Sequence, residues 1–255
     1  MTWKFIDTGA RDGRFNMNFD LKLAEESQSE VCILRLYQWK PFAISLGANQ
    51  NPESVDKLKA SAENIDVVKR PTGGRAILHS EELTYSVVYP LSFNSSAKTI
   101  YHEINLALLE GLKNYSPELS ECELEFSQPN FPDFYKKDIG NICFAVSAKS
   151  ELKFKGRKLV GSAQRKMADK ILQHGSILCG NYHKRISEFL IMDSLSIEEI
   201  KNEIDKTTID LFEILNKSID YEKLKSSIKK GFEFQFNTAF SELKTNFNLV
   251  EQNLN

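Results

Sequence analysis

Apolar positions recur mostly with strand period through the first 180 residues and with helical period beyond them. Residues 3–6, with Trp3, Phe5 and Ile6, read as a short strand. Residues 16–26 carry Met17, Leu21, Leu23 and Ala24 at mostly helical spacing and predict a helix. Residues 30–38, EVCILRLYQ, form a strand whose middle is apolar on both sides, as a central strand requires. Pro41 breaks that run, and 42–46 resumes as a second strand ending at Gly47. A turn at 49–52 and a short helix over 55–63 follow. Residues 65–69, 76–78 and 84–89 are strands. After Ser95 and Ser96, a helix puts Tyr101, Ile104, Leu108, Leu109 and Leu112 on one face.

Residues 121–126 alternate, with Cys122, Leu124 and Phe126 on one side. A polar, proline-containing loop then spans 128–141. Strands follow at 142–146 and 151–154, and the turn Lys155-Gly156-Arg157 leads into 158–164 as a hairpin. Residues 171–178 give one more strand, interrupted at His174-Gly175. After Asn181 glycine nearly vanishes. Ser196-Ile197-Glu198-Glu199 is a capping box that starts a helix, and Tyr221, Leu224, Ile228 and Phe232 mark another. From Asn246 the chain is polar and expected to fray. The expected fold is α/β of the α+β kind, a mixed and largely antiparallel sheet with flanking helices. Residues 1–255 are expected to form a single domain, with a helical C-terminal segment from about residue 182 packed on the sheet. No stretch is rich enough in Gly, Pro or Ser to divide the chain.

Composition narrows the function classes. The 255 residues suffice for a sizeable core, and 41% hydrophobic with 27% charged is ordinary for a globular protein. A net charge of −2 argues against a dominant nucleic-acid surface. No run reaches membrane-span length, and the first residues lack the apolar core of a signal peptide, so the expectation is a cytoplasmic protein with reduced thiols and no membrane partner. The four cysteines, Cys32, Cys122, Cys143 and Cys179, are far apart with no CxxC pair, which suggests neither zinc nor a disulfide framework.

The segment 69–86, KRPTGGRAILHSEELTYS, concentrates the candidate chemistry. It links two strands through a glycine pair beside Lys69, Arg70 and Arg75, with His79 close behind. Gly73 and Gly74 can take positive φ and expose bare backbone, whose N–H groups suit an anion or a carbonyl. The plainer reading is a hairpin turn with solvated charges. Arg70 has a two-pronged fork for a carboxylate or phosphate, or else it makes a surface ion pair with Glu81 or Glu82. His79 and His174 are either hydrogen-bonded structural histidines or pocket residues.

Cys143 lies between a loop carrying Lys136, Lys137 and Asp138 and a hairpin with Lys155, Arg157 and Lys158. Neighbouring cations lower a thiol's pKa and raise its reactivity, whereas a free cysteine is more commonly core. Cys32, Cys122 and Cys179 read as core. Lys158 is either an inward lysine that serves a ligand or an outward, solvated one. Ser162 and Gln164 either anchor polar atoms of a ligand or bond the hairpin.

Four segments in order, RLYQWKPFAISLGANQ (35–50), 69–86, Cys143-Phe144 and GRKLVGSAQRKMADKILQHG (156–175), resemble the lipoate–protein ligase, octanoyltransferase and biotin ligase superfamily. The match spans about residues 30–180 and is most similar to the octanoyltransferase branch whose cysteine precedes the lysine. Two departures stand out: His79 is followed by Ser80 and Glu81 where the family usually has aspartate, and Cys143-Phe144 by Ala145-Val146-Ser147 where a proline is usual. The resemblance implies an acyl chain in an apolar tunnel, Cys143 as the acylated nucleophile and Lys158 on the acyl carbonyl. It places substrate contacts at Arg70, Thr72, Gly73, Gly74, Arg75 and His79, and at Gly161, Ser162, Ala163 and His174. It implies transfer of an octanoyl group from acyl carrier protein to a lysine of a lipoyl-domain protein or glycine-cleavage H protein, with no cofactor. The alternatives are an ATP-dependent lipoate–protein ligase, an amidotransferase between lipoyl-domain proteins, and a non-catalytic module that captures acylated partners.

Overall fold

A computed structural model describes residues 1–91, 96–125, 151–191 and 197–243. Strand β1 (Thr2–Arg11) is longer than the four residues its apolar positions predicted. Its register slips between Asp7 and Ala10, where Gly9 takes φ +64°. Asp12 caps helix α1 (Gly13–Glu26), its side chain accepting from the Phe15 N–H. Strand β2 (Val31–Trp39) is central as predicted, between β1 and β6 (Glu82–Pro90).

Between them lie β3 (Ala43–Leu46), α2 (Lys57–Ala62), β4 (Asp66–Lys69) and β5 (Ile77–His79). These three strands make a separate sheet in the order β4-β3-β5, with β3 parallel to β4 and antiparallel to β5. Helix α3 (Ala97–Tyr115) begins at the Ser96 cap. The small strands β7 (Cys122–Leu124), β8 (Leu152–Phe154) and β9 (Arg157–Lys158) form a third sheet. Then come β10 (Val160–Met167) and β11 (Lys170–Leu178), paired antiparallel. The hairpin predicted around Gly156 is therefore β8–β9, and a second hairpin carries the long strands.

The large sheet has the order β10-β11-β6-β2-β1-β12, antiparallel from β10 to β2 and parallel from β2 onward. The last strand, β12 (Phe240–Glu242), follows helices α4 (Ile197–Thr207), α5 (Leu211–Leu215) and α6 (Tyr221–Gln235). Its three residues are too few to show a period, so the sequence pattern missed it. Strand β11 is not interrupted at His174-Gly175: both residues keep register with Ser86 and Tyr85. The predicted loop at 128–141, the strand at 142–146 with Cys143, Ser196, and the tail from Asn246 lie outside the described residues.

The faces of the large sheet have different covers. Phe15, Phe19 and Leu23 of α1 pack on Ile33, Val88 and Leu172. On the opposite face α3 and α6 bury Leu34, Leu36, Leu83 and Val87 with Leu108, Leu112, Leu224, Ile228 and Phe232. The helical segment thus divides. Helix α6 joins the large sheet, whereas Ile200 and Ile204 of α4 pack with Ile44, Leu78 and Phe189 against the small sheet.

Helices α3 and α6 touch through glycine. A Cβ on Gly231 would lie 2.3 Å from the Ala107 carbonyl oxygen and 2.3 Å from the Gly111 nitrogen, both backbone atoms that cannot step aside. We expect Gly231→Val to push the helices apart and lower the unfolding free energy by about 1–3 kcal/mol. Urea denaturation would measure it; a midpoint equal to wild type would mean the helices do not pack this closely.

Candidate active site

The two larger sheets meet over a cavity of about 350 Å³, counted to its open mouth. Met17 of α1, Tyr37 and Trp39 of β2 and Ile77 of β5 supply apolar surface. Arg70, His79, Thr84, His174 and Ser176 supply polar groups, and Gly161, Ser162, Ala163 and Gly175 form the wall of β10 and β11. Six of the residues predicted for substrate contact thus come together: Arg70, His79, Gly161, Ser162, Ala163 and His174.

The glycine turn is tied down by Arg70, which is buried rather than on the surface. Its Nε and Nη2 donate to the Gly73 carbonyl at 3.2 and 2.9 Å, and Nη2 also to the Arg75 carbonyl at 2.6 Å. Nη1 donates to the carbonyl and hydroxyl of Ser45 at 2.9 and 3.0 Å. These contacts use all five donors of the guanidinium. The fork is committed to shaping the turn, not to an ion pair with Glu81 or Glu82. Gly74 sits at φ +95°, where a side chain is strained, and its carbonyl oxygen would lie 2.0 Å from a Cβ on Gly47. At Gly73 a Cβ would meet nothing within 4 Å among the described residues.

Thr72 is fully buried and hydrogen-bonds His174 Nε2 at 2.6 Å. His174 Nδ1 lies 3.2 Å from Asp20 Oδ2, which requires the proton on Nδ1 and leaves Nε2 to accept from the threonine. This is a threonine–histidine–aspartate line, but the threonine has no exposed surface to meet a substrate. It is a strut that ties the turn to α1. Arg35 completes it, donating to Asp20 Oδ1 at 2.7 Å and to Asn16 and Thr8. The Tyr37 hydroxyl donates to Asp20 as well, at 3.0 Å.

His79 has a separate set of partners. Nδ1 meets Glu82 Oε1 at 2.8 Å, Nε2 meets the Ser45 hydroxyl at 2.8 Å, and the ring stacks on Trp39 with centroids 4.1 Å apart. The acid beside His79 is therefore Glu82, three residues on, and not Glu81, which is exposed. The same Glu82 oxygen accepts from Thr84 and Ser176 at 2.6 and 2.7 Å. Burial pushes the Glu82 carboxyl up, but His79 and the two hydroxyls outweigh it and hold the group below its usual range.

Lys158 is inward, not solvated. It is 1% exposed and forms a 2.9 Å ion pair with Glu151. Ser162 accepts from the Tyr85 hydroxyl at 2.7 Å and donates to Asn105, while Gln164 donates to Ala97 and Gln173. The Ser162 and Gln164 side chains thus bond the interior on the α3 side of the sheet. Gly175 admits Tyr85, whose ring would lie 2.8 Å from a Cβ there. Arg75 reaches the turn through its carbonyl.

The catalytic domain family of lipoyl protein ligases A and B matches residues 12–233. The chain belongs to this family. Octanoyltransferase LipM of Staphylococcus aureus is 31% identical over 253 residues, covering 95% of this chain and 90% of that protein. Octanoyltransferase LipM of Bacillus subtilis is 30% identical over 246 residues, covering 92% and 87%. Among solved structures, a bi-partite lipoate protein ligase with its E2 lipoyl domain from Thermoplasma acidophilum covers 100% of this chain and 92% of its own, at TM-score 0.77 and 16% identity. Lipoate-protein ligase A bound with ATP covers 99% and 93%, at TM-score 0.76 and 17% identity. At those identities the two structures establish a shared fold. No helix among the described residues is long and apolar enough to cross a membrane.

Within this family fold the described cysteines are core, as predicted. Burial pushes the Cys32 and Cys122 thiols up to about 12, and the Cys179 thiol up as well, so none is a ready nucleophile. Sequence reading missed the cavity's apolar wall of Met17, Tyr37, Trp39 and Ile77, and the partners Asp20, Arg35, Glu82 and Ser176. The signal available was a charged residue inside a central apolar strand, Arg35 in EVCILRLYQ, which must be paired.

The buried histidines set an acid limit. Burial lowers the pKa of His174, although Asp20 opposes it, and lowers that of His183 to about 4. Below their ordinary value of about 6.5 the unfolded chain takes up protons that the folded one resists, so stability is full above that pH and falls as pH drops through the window. We expect thermal melts to show a falling melting temperature between about pH 6.5 and 4, and a shallower fall in His183→Gln. An equal fall in that variant would remove His183 from the balance.

Proposed function

We propose that this protein is an octanoyltransferase of protein lipoylation, forming an amide between an octanoyl group and a lysine of a lipoyl-domain protein. The observation that carries the reading is the similarity to LipM octanoyltransferases over 95% of the chain. The cavity supports it, since Trp39, Met17 and Ile77 give it an apolar wall alongside Arg70, which precedes the glycine turn, and the strands that follow Lys158. The donor is acyl carrier protein, and a glycine-cleavage H protein is a further acceptor of the same chemistry. Residues 1–255 act as one catalytic domain that includes the helical C-terminal segment, and the reaction takes place in the cytoplasm.

In this reading the thiolate of Cys143 attacks the carbonyl carbon of the carrier thioester, and the phosphopantetheine thiolate leaves with a proton. The acceptor amine then attacks the Cys143 thioester, the amide forms, and Cys143 regains its proton. Exchange between thioesters is nearly isoenergetic and amide formation draws the second step forward, so ATP is not consumed. The Lys158 side chain and N–H groups of the glycine turn hold the carbonyl oxygen as charge develops on it. Thr72, Arg70, Arg75 and His174 shape the turn. Gly161, Ser162 and Ala163 wall the acyl chain, and His79 bounds it beside Trp39.

Two predictions test the reading. Gly73→Val should leave the melting temperature unchanged, because no described residue lies within 4 Å of its Cβ, and should weaken binding of the octanoyl donor. Unchanged affinity would mean the ligand does not lie against the turn. Wild type incubated with octanoyl carrier protein and no ATP should gain an octanoyl mass that is labile to hydroxylamine, maps to the Cys143 peptide and is discharged by an apo lipoyl domain. Cys143→Ser should lose transfer or slow it by orders of magnitude, since a hydroxyl without a dedicated base is a far poorer nucleophile. No adduct, strict dependence on ATP with free lipoate, and near-normal activity of Cys143→Ser would instead identify a ligase. An adduct formed from an octanoylated lipoyl-domain donor but not from carrier protein would identify an amidotransferase.

A further inference from the structure

In register across the large sheet stand Gly161, Ser176, Thr84 and Tyr37, one residue each from β10, β11, β6 and β2. All four line the cavity, so its floor is a row that runs across the strands. Three interstrand steps make that row about 14 Å long. The hydroxyls on it are already spent: Ser176 and Thr84 both donate to Glu82 Oε1, and Thr84 also accepts from Trp39. The two ends of the row differ. Strand β10 is an outer strand of the sheet, and its Ser162 and Ala163 are half-buried. Arg165 of the same strand donates to the Pro71 carbonyl at 3.0 Å, which ties β10 to the exposed Gly73 and Gly74. At the β2 end Tyr37, Trp39 and Met17 are 4% exposed or less. Among the described residues the row is thus open beside β10 and closed at β2.

Three side chains make the closed end, and two of them are pinned. The Tyr37 hydroxyl donates to Asp20, and the Arg35 guanidinium lies 3.8 Å from the centre of its ring. The Trp39 indole donates to Thr84 at 2.7 Å, and its ring stacks on His79. Met17 is an unbranched thioether, packed with Tyr37, Trp39, Ala43 and Val68 and free to take several rotamers. Its backbone cannot retreat. The Asn16 side chain donates to the carbonyls of Arg11 and Gln38, and a Cβ on Gly13 would lie 2.9 Å from Val68, so α1 is pressed against the small sheet. We propose that Met17 is the residue that sets acyl-chain length: its side chain caps the tail, and the space it fills fixes how many methylenes fit. The inference rests on the octanoyltransferase reading, in which this cavity holds the acyl chain with its tail away from the glycine turn. A longer chain has to displace a side chain at a closed end. A shorter one leaves a gap and forfeits contacts with the apolar wall.

The test is a competition. Wild type and variants receive an equimolar mixture of hexanoyl, octanoyl, decanoyl and dodecanoyl carrier protein with an apo lipoyl domain, and mass spectrometry reads the acyl groups on the acceptor. The ratio of products does not depend on how much of a variant is folded. A methylene in an apolar pocket is worth about tenfold or more in rate. Met17→Ala should therefore raise the decanoyl-to-octanoyl ratio over wild type by about tenfold or more, with dodecanoyl product appearing as well. Met17→Phe should raise the hexanoyl-to-octanoyl ratio by a similar factor. The alanine ratio decides, and an unchanged value overturns the proposal. If that variant gives no product, the phenylalanine ratio decides in the same way. Loss of all four products in both variants also overturns it, because a cap on length leaves some length accepted. Wild type that transfers octanoate beside unchanged variant ratios removes Met17 alone and leaves the octanoyltransferase reading standing. Wild type that transfers none of the four sinks that reading and this inference with it.

Discussion

Arg35 carries a full charge at a position with no exposed surface, and one side of the cavity is assembled around that fact. A guanidinium at such depth must be matched, and Asp20, Asn16 and Thr8 match it from α1 and β1. The rings of Tyr37 and Phe19 lie 3.8 and 4.7 Å from its centre and leave no room for water. Asp20 is thereby fixed, and through it His174 and Thr72. The position of the glycine turn follows from a charge two strands away. Removing one member of such a pair strands the other, at a cost of about 3–5 kcal/mol.

The large sheet keeps two kinds of chemistry apart. Alternation along β6 sends Thr84 and Ser86 to the α1 side and Leu83, Tyr85 and Val87 to the α3 side. Along β11, His174 and Ser176 share the first side while Gln173 meets Tyr85 on the second. The histidines and their carboxylates therefore occupy one chamber. The Tyr85 and Ser162 hydroxyls occupy the other. Gly175 is the thin place in this partition, where a side chain would collide with Tyr85 and with the Gly161 carbonyl.

Local chemistry left clear marks in the sequence. The central strand β2, the capped helices α1 and α3, and the glycine turn were legible because each depends on neighbours within a few residues. The inward placement of Lys158 was legible as one of two alternatives, and its burial decides between them. What did not show were pairings across long separations. The sequence left the acid near His79 open, because distance along the chain is a poor guide once β5 turns into β6, and Glu82 takes that place. Asp20 and His174 are 154 residues apart and meet because α1 crosses the sheet face. Arg70 looked like a ligand-binding fork, and nothing local reveals that its donors are consumed by the turn it precedes.

Strand β12 has a consequence for how this chain reaches its fold. Phe240–Glu242 pairs in parallel with Trp3–Phe5, so the outermost row of the large sheet is supplied by nearly opposite ends of the described chain. While the protein is being made, β1 waits with its outer amides and carbonyls unpaired until more than two hundred further residues have emerged. An open edge of that kind invites pairing with other chains. The aromatic cluster of Trp3, Phe232, Phe236 and Phe240 also closes last, because three of its four rings arrive with α6 and β12. A strand made more than two hundred residues after β1 is thus the one that covers its edge.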